Sequence, residues 1–227
     1  MWQQVARSTT VISLAVTLSA ARATAQTASA EHGNIWLTDA AGHKHQITDT
    51  GVDCCPAVSP DGQRIVFVRK TQGMKIEVGW GSAEANEIWT VDVTGQQPRR
   101  LARGADHFHE NAPLAELGSP QFSPDGKRVY FWGAAAAVSG NVYAFELDTG
   151  ALRFISGGHN VEVIQRGPYR GCLIVQKHKY FVGGGSYDWF WLLKRNGEEE
   201  GPLGDDPKFF KENWMDDAPN ATPGACD

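Results

Sequence analysis

Val58-Ser59-Pro60-Asp61-Gly62-Gln63-Arg64-Ile65-Val66-Phe67 recurs later in the chain as Phe122-Ser123-Pro124-Asp125-Gly126-Lys127-Arg128-Val129-Tyr130-Phe131. In both copies an apolar residue leads into Ser-Pro-Asp-Gly, and a β-branched and aromatic run follows. Pro presets φ for the first turn position, Asp bonds the backbone two residues on, and Gly accepts a positive φ. The flanking runs have strand composition and are bounded by turn residues. The stretch is a β-hairpin, used twice.

A second element appears three times. Its copies are Ile35-Trp36-Leu37-Thr38-Asp39 with Gly42, Ile88-Trp89-Thr90-Val91-Asp92 with Gly95, and Val142-Tyr143-Ala144-Phe145-Glu146 with Gly150. Each precedes a short second apolar run: Gln46-Ile47-Thr48, Arg100-Leu101-Ala102 and Arg153-Phe154-Ile155. Repetition on this scale marks a repeat architecture, in which each unit buries its faces against its neighbours.

From Asn34 to Ile155 these residues resemble the TolB-like β-propeller repeat, a relative of WD-type propellers. The resemblance implies an all-β fold in which Ser-Pro-Asp-Gly joins the two inner strands of a blade and Ile-Trp-x-x-Asp starts the outer pair. A third unit continues the pattern with worn motifs. Gly167-Pro168-Tyr169-Arg170-Gly171 stands at the inner turn and Asp188-Trp189-Phe190-Trp191-Leu192-Leu193 at the outer strand. The expectation is an outer strand pair at 34–48 and blades at about 55–102, 119–156 and 161–204. That makes about three and a half to four blades of four antiparallel strands, fewer than the six usual in that family. The tail, 205–227, either improvises a four-blade closure or leaves the propeller open. Its three aromatics, Phe209, Phe210 and Trp214, are expected to pack on the body. Trp36, Trp89 and Tyr143 occupy equivalent strand positions and are expected to pack between blades.

Residues 1–25 read as a secretory signal: Arg7, an apolar core from Val11 to Ala21, and Ala23-Thr24-Ala25 as a cleavage motif before Gln26. The expected address is a bacterial periplasm, or secretion, with no transmembrane segment once the signal is removed. The propeller repeats then occupy 26–204. Removing Arg7 and Arg22 takes the formal charge from −5 to −7. Nine acids lie from Glu198 onward against Lys208 and Lys211, so the body is neutral and the tail acidic. With no basic excess, nucleic acid is not an expected partner.

All four cysteines, Cys54, Cys55, Cys172 and Cys226, lie beyond the signal, where disulfides are permitted. Adjacent Cα atoms about 3.8 Å apart argue against a Cys54–Cys55 bridge. Cys172, inside an apolar run, reads as a buried thiol. A tail returning to the rim that carries Cys54 and Cys55 would let Cys226 bond one of them; four free thiols are the alternative.

Two constellations suggest chemistry. Gly184-Gly185-Ser186-Tyr187-Asp188 approaches the G-x-S-x-G elbow of the hydrolases that carry such propellers, but Asp188 takes the fifth position and no His follows His178. Gly183-Gly184-Gly185 reads as a flexible interstrand loop. His107-Phe108-His109-Glu110 places two imidazoles on one face of an extended chain, beside a carboxylate suited to Zn, Cu or Ni. The family topology would gather His107, His109, Glu110 and His159 with Cys54 and Cys55 on one rim. Trp80, in a Gly-rich loop, is a candidate partner anchor. With no convergent acid, base and nucleophile, the expectation is a noncatalytic binding module with no cofactor. It would engage a protein, or a second copy, through rim loops or an open edge. The rival is a metal- or small-ligand-binding protein using the His/Cys rim.

Overall fold

The computed structural model describes residues 26–78, 81–109, 112–135, 140–214 and Cys226, with only the backbone path for 106–109, 112 and 214. Four antiparallel sheets follow one another along the chain. Blade 1 is β1 (Thr27–Glu31), β2 (Asn34–Thr38) and β3 (Lys44–Gln46). Blade 2 holds β4 (Asp53–Val58) and β5 (Arg64–Arg69). A separate hairpin, β6 (Lys75–Val78) and β7 (Gly81–Glu84), intervenes before its outer strands β8 (Glu87–Asp92) and β9 (Arg99–Arg103). Blade 3 is β10 (Ala105–His109), β11 (Ala112–Phe122), β12 (Arg128–Ala134), β13 (Gly140–Glu146) and β14 (Leu152–Gly157). Blade 4 is β15 (His159–Val163), β16 (Leu173–Tyr180), β17 (Ser186–Leu193) and β18 (Glu199–Gly204), followed by helix α1 (Lys208–Trp214).

The repeated turns form as their residues dictate. Ser59 O accepts from Gly62 N at 2.9 Å, and Gly62 takes φ 70°. The Asp61 carboxylate accepts from Gln63 N at 3.0 Å, while the Ser59 hydroxyl accepts from Arg64 N at 2.9 Å. Ser123, Asp125, Gly126 and Arg128 repeat this arrangement. One small network thus fixes the register of both hairpins.

Burial then runs from blade to blade. Ile35 and Leu37 of blade 1 pack against Ile65, Phe67 and Val91 of blade 2. Val66, Val68 and Ile88 of blade 2 meet Leu114, Leu117, Val129 and Phe131 of blade 3. Tyr130, Val142 and Ala144 of blade 3 meet Val161, Leu173, Val175 and Leu193 of blade 4. Strands buried on both faces explain the near-continuous apolar runs. Tyr143 lies wholly buried beside Phe131 and Phe154, as its place in the repeat requires.

The structure corrects the expected inventory at four points. The pair at 34–48 is not alone, because β1 joins β2 in register from Thr27↔Thr38 to Glu31↔Asn34. By the repeat motif β2 matches β8, so β1 matches β5, and the blade lacks a counterpart of β4 among the described residues. Next, β6–β7 and β10 are additional strands with no repeat signature. The third correction concerns the bridge: Cys226 is bonded to Cys172, not to Cys54 or Cys55, which are free. Phe210 of α1 and Cys226 lie on the outer face of blade 4, where Cys172, Ile164, Ile174 and Leu192 are buried with Cys226. The Cα atoms of Cys172 and Cys226 stand 5.0 Å apart, within the usual disulfide span. Last, of the tail aromatics Phe210 packs on Tyr169 with ring centroids 5.1 Å apart, whereas Phe209 is 72% exposed. The Trp214 side chain lies outside the described residues.

Candidate functional site

The inner strands β4, β11 and β15 all run the same way, and this defines two rims. At the distal rim, where these strands end, the blades surround a cavity of about 670 Å³. Ala57 and the Ser59–Gln63 turn line it from blade 2, Gln121 and Phe122 from blade 3, and Gln165 from blade 4. Gln26, at the foot of β1, and Ala40 complete it. The lining is rich in carboxamides, and most are committed. Gln121 donates to Val161 O at 2.6 Å and accepts from Val163 N at 3.0 Å, holding the inner edge of β15. Gln165 donates to Phe122 O at 2.9 Å.

Gln26 differs, because its Oε1 is buried without a hydrogen-bond partner. An orphaned buried acceptor costs about 1–3 kcal/mol and marks a place where a donor would be welcome. β1 also pairs only with β2 among the described residues, so its second edge is unmatched. Sequence reasoning passed over both features. Thr27-Ala28-Ser29-Ala30-Glu31 lacks β-branched and aromatic residues apart from Thr27.

The proximal rim carries Cys54, Cys55, His107, His109 and His159, on strands rather than loops. Cys54 and Cys55 lie in β4, at a register shift where Cys55 takes φ 57°. Their sulfurs are 3.0 Å apart, with Cys55 donating to Cys54. His107 and His109 fall on the backbone of β10, and His159 opens β15 opposite Gln176. The His159 ring lies 6.4 Å from that of Trp132. Glu110 and Trp80 lie outside the described residues, as do residues 1–25. Among the described residues no group of three or more His, Cys, Asp or Glu side chains is placed to hold a metal ion.

Burial, and then the bond from Cys55, pushes the Cys54 thiol up to about 12. The thiolate is the nucleophile, so the two neighbours should differ in reactivity. Iodoacetamide at pH 8.5 is expected to alkylate exposed Cys55 and to leave Cys54 more than about a hundredfold slower. Peptide mapping by mass spectrometry checks this; equal labelling would show that β4 opens at its bulge.

No protein-family model and no curated protein matches the chain. Solved structures do. The chain superposes on TolB from Agrobacterium tumefaciens at TM-score 0.51 and 18% identity, over 78% of this chain and 57% of that one. The β-propeller domain of the Trilobed protease from Pyrococcus furiosus, described as having an open velcro topology, matches at TM-score 0.51 and 14% identity, over 74% and 48%. Oligogalacturonate lyase from Vibrio parahaemolyticus matches at TM-score 0.50 and 14% identity, over 75% and 42%. The chain spans about half the length of these propellers. The fold is a TolB-like β-propeller. The expectation of a noncatalytic chain is corrected by the same comparison. A protease domain and a lyase share the fold, so the propeller itself gives no ground for excluding an enzyme.

Proposed function

We propose that the protein is a periplasmic or secreted binding scaffold, in which blade 1 receives an extended segment of a partner protein beside β1. The unmatched edge of β1 carries this reading. Three blades have an inner strand corresponding to β4, and the first has none among the described residues. An added strand would satisfy the free backbone groups of β1, as in β-strand addition generally. It would also run beside the cavity, within reach of the orphaned Gln26 carbonyl. The Pyrococcus propeller is described as having an open velcro topology, so a propeller of this kind exists without that terminal closure. Among the described residues no helix is long and apolar enough to cross a membrane.

A photo-crosslinking residue at Ser29, with Phe209 as the control site, tests the proposal in the native cell. The expected product is a protein adduct at position 29 alone. Hydrogen exchange of the purified pair should then show new protection at residues 27–31. An adduct only at 209, or unchanged exchange in β1, would overturn it.

A further inference from the structure

The hairpin β16–β17 outgrows its blade. Its flanking strands stop at His159, opposite Gln176, and at Gly204, opposite Phe190. Four more rungs follow, Lys177↔Trp189, His178↔Asp188, Lys179↔Tyr187 and Tyr180↔Ser186. At 3.4 Å per residue they carry the tip about 14 Å past the flanking strands of its own blade, on the proximal side.

The projection is layered by depth. At the tip Phe181 is 51% exposed and Val182 fully so, followed by Gly183-Gly184-Gly185. Beneath them Tyr180 is 75% exposed, and Tyr187 stacks between Phe181 and Trp189 with ring centroids 4.6 Å away on either side. Lower still is a charged collar. His178 meets Asp188 at 2.8 Å, and Lys177 and Lys179 both bind Glu199, at 2.7 and 2.6 Å. Apolar tip, amphipathic aromatics and charge, in that order, match the profile of a bilayer surface. The turn also closes on itself: Phe181 N donates to Gly185 O and Gly184 N to Phe181 O, both at 3.1 Å. Backbone groups satisfied internally lower the cost of entering a medium without water.

We infer that the Tyr180–Tyr187 hairpin is a membrane-surface anchor, inserting Phe181 and Val182 between lipid headgroups. The collar is close to charge-balanced, so the attachment is apolar and insensitive to salt. It stands on the opposite rim from the cavity and is independent of the β1 reading.

Flotation of the mature protein with phosphatidylcholine vesicles is the test. The wild-type protein should float, equally at 0.1 and 0.5 M salt, and added phosphatidylglycerol should change little. Phe181→Ser with Val182→Ser should weaken partitioning by about tenfold or more, since two apolar side chains lose their burial in lipid. Val182→Asp, at a side chain open to solvent, should do the same with unchanged thermal unfolding. A wild-type protein that stays in the aqueous fraction, or variants that float equally well, would overturn the inference and leave a protein pocket as the tip's occupant. Binding abolished by 0.5 M salt would overturn it as well.

Discussion

Replacing Arg69 by methionine is expected to destabilise the fold by about 3–5 kcal/mol, the cost of leaving a buried carboxylate without its counter-ion. Asp53 is completely buried, and Arg69 grips both of its oxygens, Nε to Oδ1 at 2.7 Å and Nη2 to Oδ2 at 2.9 Å. The two residues face each other across β4 and β5. The guanidinium also lies over Trp89 at 4.7 Å and Phe67 at 5.4 Å, so packing is lost with the charge. The site is a joint as well, because Asp53 N donates to Gly33 O of blade 1 at 2.8 Å. Gly33 takes φ 74°, and a Cβ there would stand 2.0 Å from Gly51 O, so nothing larger fits. Chemical denaturation measures the loss, and Asp53→Val with Arg69→Met should recover most of it. A loss below about 1 kcal/mol for Arg69→Met would show that water reaches Asp53.

Loss of the Cys172–Cys226 bridge has a comparable expected effect, about 4 kcal/mol in the chain-entropy model for a sequence separation of 54. Among the described residues the bridge acts beside three further anchors of the tail: Phe210 on Tyr169, the Lys211–Glu162 ion pair, and Arg195 Nε donating to Cys226 O at 3.0 Å. Cys172→Ala with Cys226→Ala should unfold at lower denaturant than the wild type. Reductant should lower the wild type towards the variant and leave the variant unmoved. A wild type indifferent to reductant would mean that the bridge contributes nothing to the native state.

What was legible in the sequence was local. Ser59-Pro60-Asp61-Gly62 and its copy specify a turn through bonds spanning five residues, and the runs after them have no alternative to burial on both faces. Of the three repeat aromatics, Tyr143 is buried between blades 2 and 3 and Trp89 packs partly buried on the core between blades 1 and 2, whereas Trp36 lies half-buried beneath Lys44, on the face of β2 opposite Ile35 and Leu37. β1 was hidden because small residues can form a strand without announcing one; its pairing comes from the two-residue turn at His32 and Gly33, φ 51° and 74°. β6–β7 and β10 carry no repeat signal. Ile76, Val78 and Ala83 find their burial against Ala115 of another blade. The disulfide was misplaced for a similar reason. An apolar run around Cys172 marks burial, but only the path of the tail decides which sulfur arrives there. Gly183-Gly184-Gly185 is the interstrand loop its residues predict, joining β16 to β17, but a glycine run says nothing about how far the flanking strands extend.

The two ends of the sheet series are unlike, and this bears on assembly. Among the described residues blade 1 ends in an unpaired strand edge, while Phe210 and the bonded Cys226 lie on the last face of blade 4. A head-to-tail contact, blade 1 of one copy on blade 4 of the next, would repeat without limit and build a filament. The tail occupies the surface such a contact needs. Face-to-face stacking of one copy's blade 1 on the next copy's blade 4 is therefore obstructed by Phe210 and Cys226, which lie on that face. The Cys172–Cys226 bridge, besides holding the last blade, keeps Cys226 on the face that an end-to-end stack of copies would need.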